Sequence, residues 1–412
     1  MNLDLILLVV FALLLGLLMY IKREKVAVEK IAFPFIYIVM YKTKIGIDLM
    51  DKIAKKFPKF TKIFGFLGVI FGFLTMTIIF VILTIKVYGF LFNGEPTPIA
   101  PLLPGVQAAP GVPILGFWHW IISIFILATV HEFSHGWLAR LYDIKVKSSG
   151  FAVLGILLPI VPAAFVEPDE EKLNKVSRWK QLEVLAAGSF SNYLTALLFL
   201  ILFLFVAAPL FSSTIHSEGV IVRDVQENYP ANLSGMKTGE EILKVNNIDI
   251  NNLDKFYDLV SGIKPGDEIK VLTNVSSYTL IAVEQPENFI NRIAFWKDEY
   301  GYIGLITSPK ISDFEDGKEL LGKTLSWIGL LFYWLFTINL AVGMFNMLPL
   351  GPIDGGKMFL ILSNVLIKNE KKAKKLWIFV SFFCLALILL GLMPFIFKLF
   401  NFIFGPVIGL IF

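Results

Sequence analysis

Apolar residues along the chain cluster in runs that are long enough to cross a lipid bilayer. Such a helix needs about 20 apolar residues, because each residue rises by about 1.5 Å across a hydrocarbon core about 30 Å thick. The pattern therefore predicts a polytopic α-helical membrane protein with about six transmembrane helices. Pro394 and Gly405 favour a break in the last run. The runs are 3–21, 63–94, 114–139, 181–211, 321–348 and 376–412.

The segment 212–311 has a different pattern, because it is more polar and alternates apolar with polar residues. Such alternation predicts β-strands, for example over 219–222 and 268–272, and a Pro-Gly turn signal lies at 264–267. A helix is predicted around 252–262. This segment therefore reads as a soluble α+β domain inserted between two membrane spans.

Two shorter segments are predicted to meet the membrane without crossing it. The segment 150–166 is apolar, but Gly155, Pro159 and Pro162 interrupt it, which favours a re-entrant element over a full span. The segment 46–57 places apolar residues on one helical face and charged residues on the other. It predicts an amphipathic helix on the membrane surface, and a solvated connecting helix is the alternative.

Composition agrees with the membrane prediction and excludes some classes of function. Of the 412 residues, 56% are hydrophobic and only 17% are charged, which is too apolar for an ordinary soluble protein. The net charge of +4 gives no basis for nucleic-acid binding. Cys384 is the single cysteine, so the chain can form neither an intrachain disulfide nor a cysteine-based zinc site.

Lysine and arginine concentrate in alternate loops, and such residues favour the cytoplasmic side of a membrane. The segment 21–62 has eleven of them, 141–180 has six and 368–375 has five, whereas 95–113 has none. We therefore predict a multi-pass protein of the cell membrane with its N-terminus outside. The inserted domain would then also be extracytoplasmic. The first run reads as an uncleaved span, because its positive charges follow it.

A His-Glu-x-x-His pattern, formed by His131, Glu132 and His135, lies in the third apolar run. Residues four apart share one face of a helix, so the two imidazoles could hold one Zn²⁺, with the glutamate beside it as general base. A polar cluster at membrane depth is costly and therefore points to a function. The placement suggests peptide-bond hydrolysis inside the bilayer, towards the cytoplasmic side.

A catalytic zinc site commonly has three protein ligands and one open position. The remaining histidines are poor candidates for the third ligand, because His119 lies about 120° around the helix from His131 and His216 begins the polar segment. We expect His119 to face the outer membrane interface. Asp354, in a segment broken by prolines and glycines at the same predicted depth, is the better candidate. A helix N-cap is the alternative role for Asp354.

These motifs together resemble those of the site-2 protease family, a group of intramembrane zinc metalloproteases that cut membrane-spanning substrates. The resemblance covers about residues 114–366 and looks most like archaeal members. His131, Glu132 and His135 match the family's His-Glu-x-x-His motif. Asp354 matches the aspartate of its Leu-Asp-Gly motif, with Ile353 in place of leucine, and Asn346 matches the asparagine eight positions before that aspartate. Gly188 and Asn192 match the family's Gly-x-x-x-Asn motif.

The resemblance implies a role for each matched residue. His131, His135 and Asp354 would hold one Zn²⁺, and Glu132 would be the catalytic base. Substrate binding would involve Asn346, which could bind the substrate carbonyl or the developing oxyanion, together with the Gly-x-x-x-Asn residues. Helix–helix packing is an equal alternative for the asparagine of that motif.

Residues 218–284 resemble a PDZ domain of the bacterial or archaeal protease type, through the stretches 218–250 and 264–272. PDZ domains add a peptide strand to a sheet edge and capture its carboxylate with backbone amides. By analogy, the amides around 218–220 would receive that carboxylate. A size filter that binds no peptide and excludes bulky extracytoplasmic domains is the alternative.

The leading hypothesis is an intramembrane zinc metalloendopeptidase with a PDZ-like insert, whose partners are a membrane-spanning protein substrate, the lipid bilayer and a peptide at the insert. One rival is a proteolytically inactive, zinc-dependent membrane binding protein, against which the intact Glu132 argues. A transporter is the other. The regions are 1–113 (N-terminal helices and basic connector), 114–211 (first half of the protease core), 212–311 (PDZ-like domain), 312–366 (second half of the core) and 367–412 (C-terminal membrane region).

Overall fold

The computed structural model describes residues 3–21, 23, 26–32, 36–108, 112–156, 158–284 and 301–408. It divides into two compact units. We call the first the helical unit, which comprises residues 1–108, 114–203 and 330–412, and the second the inserted unit, which comprises 109–113 and 204–329.

Most of the predicted membrane runs form long helices. Among the described residues, five helices are long and apolar enough to cross a membrane, and a sixth at the N-terminus has a shorter apolar part, Ile6–Ile21. The helices are α1 (Leu3–Ile21), α2 (Ile47–Lys56), α3 (Pro58–Phe92), α4 (Phe117–Leu141), α5 (Glu170–Lys175), α6 (Arg178–Leu202), α7 (Ala208–Ser212), α8 (Pro230–Leu233), α9 (Leu253–Val260), α10 (Glu319–Asn346), α11 (Asp354–Ile367) and α12 (Glu370–Ile408), with a π-helical turn at Phe203–Ala207 between α6 and α7.

The expected break in the last run is wrong, because α12 continues as one helix of 39 residues through Pro394 and Gly405. A proline removes one backbone hydrogen bond, whereas apolar surroundings penalise the loss of all the others that a break would expose.

Helices α3, α4 and α6 pack together and form the centre of the helical unit. Small residues allow the close approach of α3 to α6: a Cβ added at Gly68 would lie 3.5 Å from the Cβ of Phe190 and 3.6 Å from that of Ala186. In an apolar solvent such packing replaces the hydrophobic effect as the main source of helix association.

The described residues of the segment 150–166 lie in two strands. β3 (Val146–Ile156) and β4 (Leu158–Pro168) form an antiparallel hairpin that extends β1 (Val26–Ala32) and β2 (Ile36–Thr43), in the order β1-β2-β3-β4. Strand β4 packs on α4. Hydrogen bonds between the strands satisfy backbone groups that would otherwise be costly in apolar surroundings. The described residues of the segment therefore form two paired strands and no membrane-spanning helix. That it enters the membrane as a re-entrant element stays a prediction.

The predicted amphipathic helix is α2, and its apolar face packs against the protein. Met50 and Ala54 are buried, and the Met50 sulfur lies so close to Gly136 of α4 that a side chain there would collide with it. An ion pair between Asp51 and Arg140 joins the same two helices. The hydrophobic face is therefore explained by contacts within the helical unit, and neither sequence interpretation of α2 anticipated them.

The inserted unit contains an antiparallel sheet whose main order is β12-β5-β6-β8-β9, and β7 pairs with β6. The predicted helix is α9, which contacts β5 and β12, and buried aliphatic side chains such as Val220, Ile242 and Ile269 form the core. The strands are β5 (Ile215–Val225), β6 (Glu241–Val245), β7 (Ile248–Asp249), β8 (Glu268–Thr273), β9 (Ser277–Ile281), β10 (Val283–Glu284), β11 (Gly301–Tyr302) and β12 (Leu305–Phe314).

The backbone of the inserted unit contradicts the expected carboxylate nest around 218–220. The Gly219 N–H already donates to the Asn251 carbonyl at 2.8 Å, and Val220 lies within β5, where it pairs with both neighbouring strands. Amides that are committed to the sheet have no free N–H for a ligand.

Candidate metal centre

The His-Glu-x-x-His residues lie on α4, as predicted from their spacing. The four-residue separation places both imidazoles on one face, with their ring centroids 4.7 Å apart. The two Nε2 atoms are 3.1 Å apart. Both histidines therefore direct the same ring nitrogen to a common point.

Asp354 meets this point from α11. Its Oδ2 atom lies 3.2 Å from Nε2 of His131 and 3.2 Å from Nε2 of His135. Asp354 is the first residue of α11, and the N-cap position is Ile353, so the N-cap role considered for Asp354 is wrong. The carboxylate is thus turned to the histidines instead of the helix terminus.

The two glycines after Asp354 explain how α11 approaches so closely. A Cβ at Gly355 would collide with the backbone of Met347 and Leu348, and a Cβ at Gly356 would collide with the Leu350 carbonyl. Only glycine avoids this overlap. The Asp-Gly-Gly sequence therefore lets the first turn of α11 pack directly on the turn that follows α10.

The three ligand atoms fit a zinc ion. With zinc–ligand bonds of about 2.0–2.1 Å, ligands at tetrahedral angles lie about 3.3 Å apart, and the observed separations are 3.1–3.2 Å. The side chains are only 9–15% exposed. Three ligands of the His-His-carboxylate type also leave a fourth position open for water or substrate. Among the described residues, these three form the one cluster of metal-binding type.

Helix α6 positions both imidazoles from the opposite side. The Nδ1 atom of His135 lies 2.7 Å from the Val184 carbonyl oxygen, and Nδ1 of His131 lies 3.0 Å from the side-chain amide of Asn192. Gly188 lies between these contacts. A Cβ there would lie 2.6 Å from Cε1 of His131 and closer still to Nε2 of His135. The missing side chain of Gly188 lets α6 pack against the histidines.

Glu132 lies beside the histidines and faces β4. Its Oε2 atom accepts a hydrogen bond from the Val166 N–H at 3.0 Å. The carboxylate also lines a cavity of about 250 Å³ between α2, α4 and the β3–β4 hairpin. The cavity wall is mainly apolar and aromatic; its residues include Phe125, Phe133, Phe151, Phe165 and Ala164.

Six of the seven sequence-predicted site residues meet in this region, and Asn346 is the exception. It is the half-buried last residue of α10, and no hydrogen bond joins it to the three ligand side chains within the described part of the chain. Its role in binding substrate stays a prediction. His119 is only 5% exposed, so its side chain is covered by protein and does not face outwards as expected.

Sequence reasoning missed two backbone partners. The Val184 carbonyl holds His135, and the Val166 N–H holds Glu132. Every residue has a backbone carbonyl, and every residue except proline has a backbone N–H, so no side-chain motif marks these partners. One sequence signal could have pointed to Val184: it lies four residues before Gly188 and therefore on the same face of the helix.

Known proteins are similar to this chain in sequence. A protein of Methanocaldococcus jannaschii, described only as uncharacterized, is 28% identical over 354 residues, which cover 84% of this chain and 82% of that protein. A Clostridium acetobutylicum protein named "Putative zinc metalloprotease" is 25% identical over 308 residues, which cover 60% of this chain and 87% of the relative.

Solved structures similar to part of the chain include the PDZ domain of an SdrC-like protein from Listeria monocytogenes. The two are 18% identical, and the match covers 23% of this chain and 90% of the solved chain, with a TM-score of 0.18. The sequence profile of Peptidase family M50 matches residues 119–388, which is more than half of the chain and includes both histidines, Glu132 and Asp354. The chain belongs to Peptidase family M50.

Proposed function

We propose that the protein is an intramembrane zinc endopeptidase of the site-2 protease type. Its substrates would be membrane proteins that are cut within or near their transmembrane segments. The observation that carries the proposal is the convergence of His131, His135 and Asp354 on one point between apolar helices. Membership of a peptidase family supports hydrolysis as the reaction.

One Zn²⁺ bound by these three side chains would polarise a water molecule and lower its pKa to about 7. Glu132 would take the proton from that water and later donate it to the leaving amine. Oε2 of Glu132 accepts from Val166, and the second carboxylate oxygen is left for this transfer. Asn346 would bind the substrate carbonyl or its developing negative charge. The cavity beside Glu132 offers space for an apolar side chain of the substrate.

For the inserted unit we propose a PDZ-like role in selecting substrates. A peptide would add to an outer edge of the sheet, which ends at β12 on one side and β9 on the other. A size filter acts on the same substrates without binding a peptide. If the unit binds a peptide, adding that peptide should shift the amide NMR signals of one edge strand, β12 or β9. If the unit acts only as a size filter, the peptide should shift the signals of neither strand.

The proposed topology has the N-terminus and the inserted unit outside and the metal site towards the cytoplasm. One part of this topology, in which α1 and α4 begin on the same side, is supported by a hydrogen bond: the Phe117 N–H donates to Asp4 Oδ1 at 2.8 Å. Cysteines placed at Ala100 and Lys172, in a Cys384→Ala background, should react with impermeant reagents from opposite sides. Labelling from one side would refute the topology.

The Glu132→Gln variant tests the proposed reaction. We expect it to keep one zinc per chain and to lose cleavage of a membrane-spanning substrate by about 10²–10⁴-fold, because the proton acceptor is gone. The exposed Glu171→Gln variant is the matched control and should cleave normally. Cleavage by the Glu132 variant at the wild-type rate would remove Glu132 as the base. A wild-type protein that binds zinc and cuts no membrane substrate would favour the inactive binding protein.

A further inference from the structure

Asn192 contacts the face of His131 that points away from the ligand cluster. Nε2 of His131 faces His135 and Asp354, and Nδ1 lies 3.0 Å from the Asn192 amide. Asn192 is completely buried, so neither water nor a substrate competes for this contact. Its geometry is that of a residue that orients a ligand, which differs from the substrate contact expected from the sequence.

The chemistry of imidazole determines which end of the amide His131 needs. A neutral imidazole has one N–H and one lone pair. When Nε2 donates its lone pair to a metal, Nδ1 carries the proton and requires an acceptor. The Val184 carbonyl is such an acceptor for His135 at 2.7 Å, so that ring already has the metal-binding tautomer. The equivalent partner of His131 would be the Asn192 oxygen.

The amide as placed puts its nitrogen against His131 and leaves its Oδ1 atom buried without a partner. Oxygen and nitrogen of an asparagine side chain are interchanged by a rotation of 180° that hardly alters its shape. In the present orientation the buried oxygen has no partner, so turning it towards the ring would give it one if Nδ1 carries a proton. The proton on His131 Nδ1 therefore decides between them, and it favours the orientation with the oxygen towards the ring.

We infer that Asn192 is a positioning residue for the zinc ligand His131, and that its side-chain oxygen accepts the Nδ1–H of that ring. Val184, Gly188 and Asn192 then form one functional face of α6, spaced by four residues. The first and last fix the tautomers of the two histidines, and the glycine between them gives the rings room. This inference rests on the zinc site of the proposed function and adds the partner that orients it.

Zinc affinity of the purified full-length protein, measured by competition with a chelator, tests the inference. Outer-shell partners commonly contribute about 10–100-fold to metal affinity, so Asn192→Ala should weaken binding by that factor. Asn192→Asp keeps an acceptor and removes the donor, and it should bind zinc within a few-fold of wild type. Asn339→Ala is the matched control, because Asn339 is equally buried and its amide nitrogen donates to Leu335 in its own helix.

The outcomes separate this inference from the zinc site itself. Equal zinc affinity of wild type and Asn192→Ala would overturn it, as would an Asp variant as weak as the Ala variant. Should the variants fold poorly, ¹⁵N NMR of the wild-type imidazoles decides: a proton on Nδ1 of His131 supports the inference and its absence refutes it. His131→Ala should abolish zinc binding, and retention of zinc by that variant would instead refute the proposed function.

Discussion

The helical unit and the inserted unit both bury polar groups, but they do so in opposite ways. In the inserted unit the carboxylate of Glu240 is 4% exposed and accepts hydrogen bonds from the Thr273 hydroxyl, the Tyr278 hydroxyl and the Lys237 N–H. Each of these partners is a donor, so the cluster is complete. A buried carboxylate with matched donors contributes to stability and specifies one arrangement of the core.

In the helical unit the buried polar groups converge without matching donors. Two imidazole Nε2 atoms and a carboxylate oxygen lie 3.1–3.2 Å from one another. The Val184 carbonyl makes Nε2 of His135 an electron-pair donor, and the inferred Asn192 orientation does the same for Nε2 of His131. Such groups repel unless a cation or a proton lies between them. Burial of polar groups alone therefore does not identify a site, whereas burial of like groups around one point does.

The first test of this comparison is the removal of one of the converging ligands. Asp354→Asn exchanges a charged ligand for a neutral amide, so zinc affinity should fall more than the roughly 100-fold expected for an outer-shell residue. Chelator competition and metal analysis measure this loss. The exposed Asp48→Asn variant should bind like wild type. Normal zinc content in Asp354→Asn would show that the convergence is not a metal site.

A second test concerns the space between α6 and the histidines. Gly188→Ala inserts a methyl group at a position where it would overlap both rings. Overpacking costs about 1–3 kcal/mol, which corresponds to roughly a 5- to 150-fold loss of zinc affinity if the strain falls on the site. Gly68→Ala in α3 is the control, because a Cβ there makes contacts of 3.5 Å or more. Equal zinc affinity in both variants would contradict the close approach of α6.

The inserted unit should respond through its stability and leave zinc binding unchanged. Glu240→Gln replaces one acceptor oxygen by an amide donor. That donor would face either the Thr273 hydroxyl at the Oε2 position or the Tyr278 hydroxyl and the Lys237 N–H at the Oε1 position. We expect a loss of about 1–3 kcal/mol in the stability of this unit, detectable as reduced hydrogen-exchange protection of β6 and β8. Glu227→Gln, at an exposed position, should have no effect. A change in zinc affinity would contradict the separate roles of the two regions.

Acid should produce the smallest effect, through the same carboxylate. Burial alone raises the pKa of Glu240, but the hydrogen bonds from Thr273, Lys237 and Tyr278 lower the pKa below its ordinary value. The carboxylate therefore stabilises the folded unit above its ordinary pKa, and this contribution is lost as the pH falls through the lowered value. Hydrogen-exchange protection, corrected for intrinsic rates, should fall with acid in wild type and less so in Glu240→Gln.

The sequence predicted the helices better than their partners. The spacing of His131 and His135 defined one helical face, and the apolar runs defined the long helices, because both are periodic properties of the local chain. The break at Pro394 was wrong, because the surroundings favour an intact helix over the local preference of proline. The contacts of α2 with α4 were missed, because an apolar face does not reveal whether lipid or protein covers it.

By itself, the sequence determined the apolar spans, the polar insert and the types of side chain that carry the chemistry. These follow from residue identity and spacing, which act over one or two helical turns. Only the tertiary structure brought Asp354 to His131 across 223 residues and placed Gly188 and Asn192 against the two imidazole rings. It also placed the Glu132 carboxylate where it accepts a hydrogen bond from the Val166 N–H. Such contacts depend on how α4, α6, α11 and β4 pack, and packing is decided by the shape of the whole helical unit.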